Sequence, residues 1–152
     1  MSSHSSLSSG SSSSSRGDGI LYANSNFSHE KLIVYNRALD FIEFAEPLLK
    51  KIKNDSFLHN QLERSSSSIA LNIAEGTGKF THKDKNRFYD IARGSAVESA
   101  FCLDILLRKN LISKDENEIG KKILYEIVSM LFGLIKSNSD RVYEDSENYE
   151  AT

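Results

Sequence analysis

The sequence predicts an all-α fold, an antiparallel up-down-up-down four-helix bundle. Three observations carry that prediction. Between Glu30 and Lys136 the only proline is Pro47 and glycine is scarce, so the punctuation of strands and hairpins is missing. Apolar residues recur at steps of three and four instead of two. The links between four such stretches are short, which makes consecutive helices antiparallel neighbours. The competing arrangement is an irregular helical array.

The first helix is expected from Ser28, a candidate N-cap followed by Glu30 at the positive end of the dipole. Its seam is Val34, Ala38, Phe41, Ala45, Leu48 and Ile52, and Lys50, Lys51 and Lys53 suit its C-terminus. Pro47 must kink or split it, because its ring meets the carbonyl four residues back. The second helix is expected from about Ser56 to Gly76 or Gly78, with the glycines as a left-handed cap. Its seam is Leu58, Leu62, Ser65, Ile69 and Asn72. The third opens at Thr81, with Asp84 three residues on, an imitation of the capping box. Its seam reads Phe88, Ile91, Ser95, Glu98, Cys102 and Ile105, with Gly94, Ser95 and Ala96 as a patch for close approach. The fourth opens on the box Ser113-x-x-Glu116 and continues through Ile119, Ile123, Ile127, Met130 and Leu134.

Outside these helices the composition changes. Thirteen of the first 28 residues are serine, too few apolar groups to offset the entropy of ordering. Residues 1–27 are therefore expected to form a disordered Ser-rich tail, 28–137 the bundle and 138–152 an acidic disordered tail. The tail holds Asp140, Glu144, Asp145, Glu147 and Glu150 against one base, Arg141. Setting these aside from the chain's 19 basic and 21 acidic residues leaves 18 and 16, a mildly basic body of +2. No apolar run approaches the ~18 residues of a membrane span, and the N-terminus has no apolar signal core. A lone Cys102 makes no intrachain disulfide. A reduced, cytoplasmic protein is expected.

Catalytic and cofactor signatures fail on detail. Gly76-Thr77-Gly78-Lys79 lacks the first glycine of a phosphate loop, and Phe80 stands where Ser or Thr is required. Ser28-His29-Glu30-Lys31 matches a bare Ser-x-x-Lys without partner motifs. Arg16-Gly17-Asp18 reads as chance in a polar tail, and His4, His29, His59 and His82 lack metal spacing. No nucleophile, base and orienter converge. The expectation is no enzyme, no catalytic residue, no metal and no cofactor.

Two polar features remain. Arg64, Ser65, Ser68, Asn72 and Glu75 on the second helix, and Ser95 and Glu98 on the third, stand where a seam is normally apolar. Each buried polar group needs a partner. Arg64 is paired here with Glu98, and Asn72 or Glu75 is assigned to backbone near the helix 2–3 turn. The bland reading is a layer that sets register. The second feature is basic: Lys79, Lys83 and Arg87 recur every four residues, with Lys85 and Arg93 nearby and Asp84 and Asp90 diluting them. If helical, they form a stripe along which phosphates lie, although solvated charge is a common cause of such a pattern. Phe80, Phe88 and Tyr89 are candidates to stack bases, with Phe88 also claimed by the seam.

Three blocks in order carry a resemblance. Arg64, Ser68-Ile69 and Asn72-Ile73-Ala74-Glu75-Gly76 form one, Lys31-Leu32-Ile33-Val34-Tyr35 another, and Arg87 to Glu98, with Gly94-Ser95, the third. Together they resemble the bacterial four-helix-bundle proteins first noticed as reading frames within intervening sequences of 23S rRNA genes. The resemblance spans about residues 30–136. The family usually places its proline later than Pro47, toward the helix 1–2 connection.

The resemblance implies an up-down bundle of a kind that can assemble into a five-membered ring. A related branch, the accessory proteins of diversity-generating retroelements, forms a positively charged ring that binds nucleic acid and a reverse transcriptase. In this light Arg64, Ser68, Asn72, Glu75, Gly76, Ser95 and Glu98 form a structural signature. The expected function is a self-assembling, non-catalytic bundle binding RNA or DNA through Lys79, Lys83, Lys85, Arg87 and Arg93. The alternative is a protein-interaction module such as a reverse-transcriptase accessory subunit, which a template repeat and a reverse transcriptase beside the gene would reveal.

Overall fold

A computed structural model describes residues 27–150. They form a single 3-10 turn, Ser28–Lys31, and four α-helices: α1 Ile33–Lys51, α2 Ser56–Thr77, α3 His82–Arg108 and α4 Lys114–Glu150. There is no strand among the described residues. Each helix packs on its neighbours in the chain, and α1 also closes against α4. Hydrogen bonds fix the directions. Ser65, Ser68 and Thr77 on α2 meet Ser99, Ser95 and Tyr89 on α3, so one number falls as the other rises. Asp104 and Asn86 on α3 likewise meet Asn117 and Asn138 on α4. The fold is the antiparallel bundle that the spacing predicts.

Three helix starts follow capping residues, Asp55 for α2, Thr81 for α3 and Ser113 for α4. The Thr81 hydroxyl accepts from the Asp84 amide at 3.1 Å. The Ser113 hydroxyl accepts from the Glu116 amide at 3.0 Å while Glu116 Oε1 accepts from the Ser113 amide at 2.8 Å, a complete capping box. The start of α1 differs from expectation. Ser28 opens the 3-10 turn, and α1 begins only after the extended Leu32, which has no side-chain cap. Pro47 does not split α1, which runs through it to Lys51. The residue is exposed and so is Glu43, whose carbonyl loses its helical partner; water can take that bond.

The core centres on Phe41, Leu48, Ile52, Leu62, Ile69, Ile73, Leu103, Leu106, Ile127 and Leu131, all below 2 % exposed. On α3 the expected seam holds at Ser95 and Cys102, which are buried, and shifts by about one residue elsewhere. Tyr89, Ala92, Ala96, Ser99, Leu103 and Leu106 are buried, whereas Ile91 is exposed and Phe88 only partly covered. Small side chains let α2 and α4 approach α3 closely, and the bulky residues beside them are turned outward. Gly94 is not part of that approach: a Cβ there meets nothing within 4 Å. Close contacts are instead at Gly76, where a Cβ would stand 2.9 Å from Tyr89, and at Gly120, where it would stand 2.6 Å from both Leu103 and Phe44. On α4 Ile119 is likewise exposed.

The expected boundary at residue 138 is not a structural one. The helix continues through it to Glu150, and Asn138 is buried. Its amide donates to Asn86 Oδ1 at 3.0 Å, while the Asn86 amide donates to the Ile135 carbonyl and to Ser139 Oγ. These bonds extend the bundle to the start of the acidic segment. The Ser-rich segment 1–26 lies outside the described residues.

Candidate nucleic-acid interface

The α2–α3 connection is short and held from both sides. The Gly78 amide donates to the Ala74 carbonyl and the Lys79 amide to that of Gly76. Neither glycine adopts a left-handed cap: Gly78 has φ −80° and no described glycine has positive φ. Gly76 serves closeness instead, since it is buried against the Tyr89 ring. The Tyr89 hydroxyl lies 2.9 Å from Thr77 Oγ1, and burial pushes the phenol above its ordinary pKa.

The five expected phosphate contacts lie in this turn and along the first three turns of α3, and they divide. Lys79 precedes α3 and is not on it, so of the expected stripe Lys79–Lys83–Arg87 only Lys83 and Arg87 share a helix. Its Nζ lies 3.9 Å from Glu75 and 4.9 Å from the centre of the Phe88 ring. The Arg87 guanidinium lies 4.6 Å from the same ring, so two cations flank it. Lys85 donates to the Thr77 carbonyl at 2.8 Å and helps finish the C-terminus of α2. Arg93 pairs with Asp90 at 2.7 Å. Among the described residues neither Lys83 nor Arg87 has a carboxylate at ion-pair distance, and both are exposed. Phe80 stands at the apex, fully exposed.

The polar signature forms the upper seam between α2 and α3. Arg64 and Glu98 are ion-paired across it, as their spacing predicts, but at the surface: their side chains are 60 % and 34 % exposed. Beneath them Ser65 and Ser99 share a buried hydrogen bond of 2.8 Å, and Ser68 and Ser95 another of 2.8 Å. Asn72 bonds the Ser68 carbonyl and hydroxyl on its own helix, one turn from the place expected near the helix 2–3 turn. Glu75 is exposed beside Lys79. These groups satisfy one another and set register. Cys102 is buried behind this seam, and its thiol is pushed up to about 11 by desolvation, with the Glu98 charge adding to it.

Several cross-helix bonds had no signal in the spacing. Arg37 on α1 reaches Glu126 at 2.8 Å, and Lys121 on α4 reaches Asp104 at 2.8 Å. Charged residues on exposed faces look alike in sequence, so their partners emerge only once register is known. Among the described residues no three His, Cys, Asp or Glu side chains converge as a metal ion would need.

Comparison with known proteins agrees with this architecture. A crystal structure described as a protein with unknown function from the S23 ribosomal protein family of Bacteroides thetaiotaomicron is 27 % identical, with a TM-score of 0.64. The similarity covers 68 % of this chain and 99 % of that one. No curated protein matches. The family described as 23S rRNA-intervening sequence protein matches residues 30–133, a stretch containing all three sequence blocks and most of the four helices. The chain therefore belongs to the 23S rRNA-intervening sequence protein family.

Proposed function

We propose that this protein is a non-catalytic cytoplasmic bundle that binds RNA or DNA at the α2–α3 end and acts as a homo-oligomer, a pentamer by family resemblance. The observation that supports it best is the pair Lys83 and Arg87. They lie one turn apart on α3, are exposed, and have no described carboxylate partner. Lys79 joins them across the Phe88 ring. Lys85 bonds the Thr77 carbonyl and Arg93 pairs with Asp90, so in this reading they contribute field more than direct contact. A few phosphate contacts per chain bind weakly, and several copies in one assembly multiply them.

Exposed apolar groups on the outer faces of α3 and α4 support association. Val97, Phe101, Tyr125 and Phe132 are each more than half exposed, apolar area that association would cover. The same surface favours the second reading, an interaction module for a protein such as a reverse transcriptase. Light-scattering mass separates the two. A multimer of the chain alone supports the first reading, whereas a monomer that gains mass only with the polymerase supports the second.

Filter binding against salt tests the nucleic-acid reading. Affinity falls as salt rises, and replacing both Lys83 and Arg87 by alanine lowers the magnitude of the log–log slope by roughly 2 per chain engaged. Affinity indifferent to salt overturns the phosphate model.

A further inference from the structure

We infer that the α2–α3 apex selects unpaired nucleotides over duplex, with Phe80 as the stacking surface; this rests on the nucleic-acid reading above. Cations alone do not make that distinction, because phosphates are present in both forms. An exposed aromatic face does. It stacks on a base only when that base is free of its own neighbours, and it does so with little regard to sequence.

The two aromatic residues near the cations are not equivalent. Phe88 is partly covered, and Lys79 and Arg87 already lie over its ring at 4.9 and 4.6 Å. Phe80 is fully exposed, an unfavourable position for a phenyl group in a monomer's own economy of burial. It occupies the bend between Gly78 and the N-cap Thr81, and both ends of that bend are tied. The Lys79 amide bonds the Gly76 carbonyl, Lys85 Nζ bonds the Thr77 carbonyl, and Thr81 caps α3 through Asp84. The ring is thus presented on a fixed backbone, so little ordering is needed when a base arrives. Lys79 precedes it by one residue and Lys83 follows by three, which places cationic side chains on either side of it in sequence. The opposing charges nearest it in sequence are Glu75, 3.9 Å from Lys79, and Asp84, in the first turn of α3.

The test is fluorescence anisotropy with a labelled 12-nucleotide oligo-dT or oligo-rU strand and a mixed-sequence 12-base-pair duplex. Full-length protein is expected to bind the single strand roughly 5- to 100-fold tighter than the duplex. Phe80→Ala should remove most of that difference while leaving duplex affinity unchanged. Phe80→Trp should preserve it, and Phe80→Leu should lose it because the π-face is gone. The side chain touches no core, so all three variants should melt with the parent.

Equal binding of both probes, indifferent to Phe80→Ala, overturns the inference but leaves the nucleic-acid reading standing. Binding of neither probe overturns both. A leucine variant as selective as the parent also overturns stacking. So does a change in light-scattering mass on Phe80→Ala, since Phe80 would then be an assembly contact.

Discussion

Gly76 on α2 lies directly against the ring of Tyr89 on α3. A Cβ at Gly76 would stand 2.9 Å from Tyr89 Cε1 and 3.1 Å from the Lys85 carbonyl oxygen. Tyr89 is only 3 % exposed, so the ring has little room to yield. Gly76→Ala should therefore destabilise the bundle by about 1–3 kcal/mol in spite of alanine's better helix propensity. Gly94→Ala is the control. Its Cβ meets nothing, and it should raise stability by roughly 0.5–1 kcal/mol. Paired denaturant titrations check both signs.

The Arg64–Glu98 pair bridges the same two helices in a more exposed place. Exposed pairs contribute little, so Glu98→Gln should cost about 0.2–1 kcal/mol and less in high salt. A melting-temperature series against salt measures it. A large loss that salt does not reduce would contradict the exposed geometry.

The buried serine pair behaves differently. Removing one hydroxyl by Ser65→Ala strands that of Ser99, at an expected cost of about 1–3 kcal/mol. Removing both should cost less than the sum of the single changes. A double-mutant cycle by chemical denaturation gives the coupling directly.

Acid should weaken the fold through identified carboxylates. Hydrogen bonds from Arg37, Lys121 and Lys51 hold Glu126, Asp104 and Glu116 below their ordinary values of 4.5, 3.8 and 4.5. A group with a depressed folded pKa stabilises above its unfolded value and loses that contribution as pH falls through the folded one. The melting temperature should therefore fall as pH drops below about 4.5. Glu126→Gln should flatten the decline, and a thermal scan at each pH shows whether it does.

The α4 extension bears on binding. Asn86 meets Asn138 and Ser139, and α3 begins four residues before Asn86, at His82. In an antiparallel pair α4 thus passes the start of α3 near residue 143 and continues for about 10 Å. Glu144, Asp145, Glu147 and Glu150 belong to this extension, at the basic end of the bundle. Truncation after Arg141 should tighten nucleic-acid binding, with the largest gain at low salt. Filter binding of the truncated and full chains measures it.

Much of this architecture was legible before any coordinates. Caps at Thr81 and Ser113 are local, so sequence shows them directly. The pairing of Arg64 with Glu98 is legible because opposite charges fall at matching heights on two antiparallel helices, although both stay at the surface. The third seam departs from its expected place at Phe88 and Ile91, which weigh more in a periodicity than Ala92, Ala96 and Ser99, and holds at Ser95 and Cys102. The core needed the small residues, since volume there is set by how closely three helices approach. The division among the cations was not legible either. Lys85 is drawn to a carbonyl that becomes available only when α2 ends at Thr77. Nor was the anchoring of α4 at the start of the acidic segment, through Asn86 and Asn138, two asparagines whose pairing no local pattern announces.

The buried Cys102 has a practical consequence. With its thiol pushed up to about 11 and its sulfur enclosed by the helices, it is a poor nucleophile at neutral pH. The natural chain is therefore silent toward maleimides and similar reagents while folded. A cysteine introduced at an exposed position becomes the single labelling handle, without any need to remove the native one. Distances between labelled copies, or between a label and a bound strand, are then open to spectroscopy on the otherwise unaltered protein.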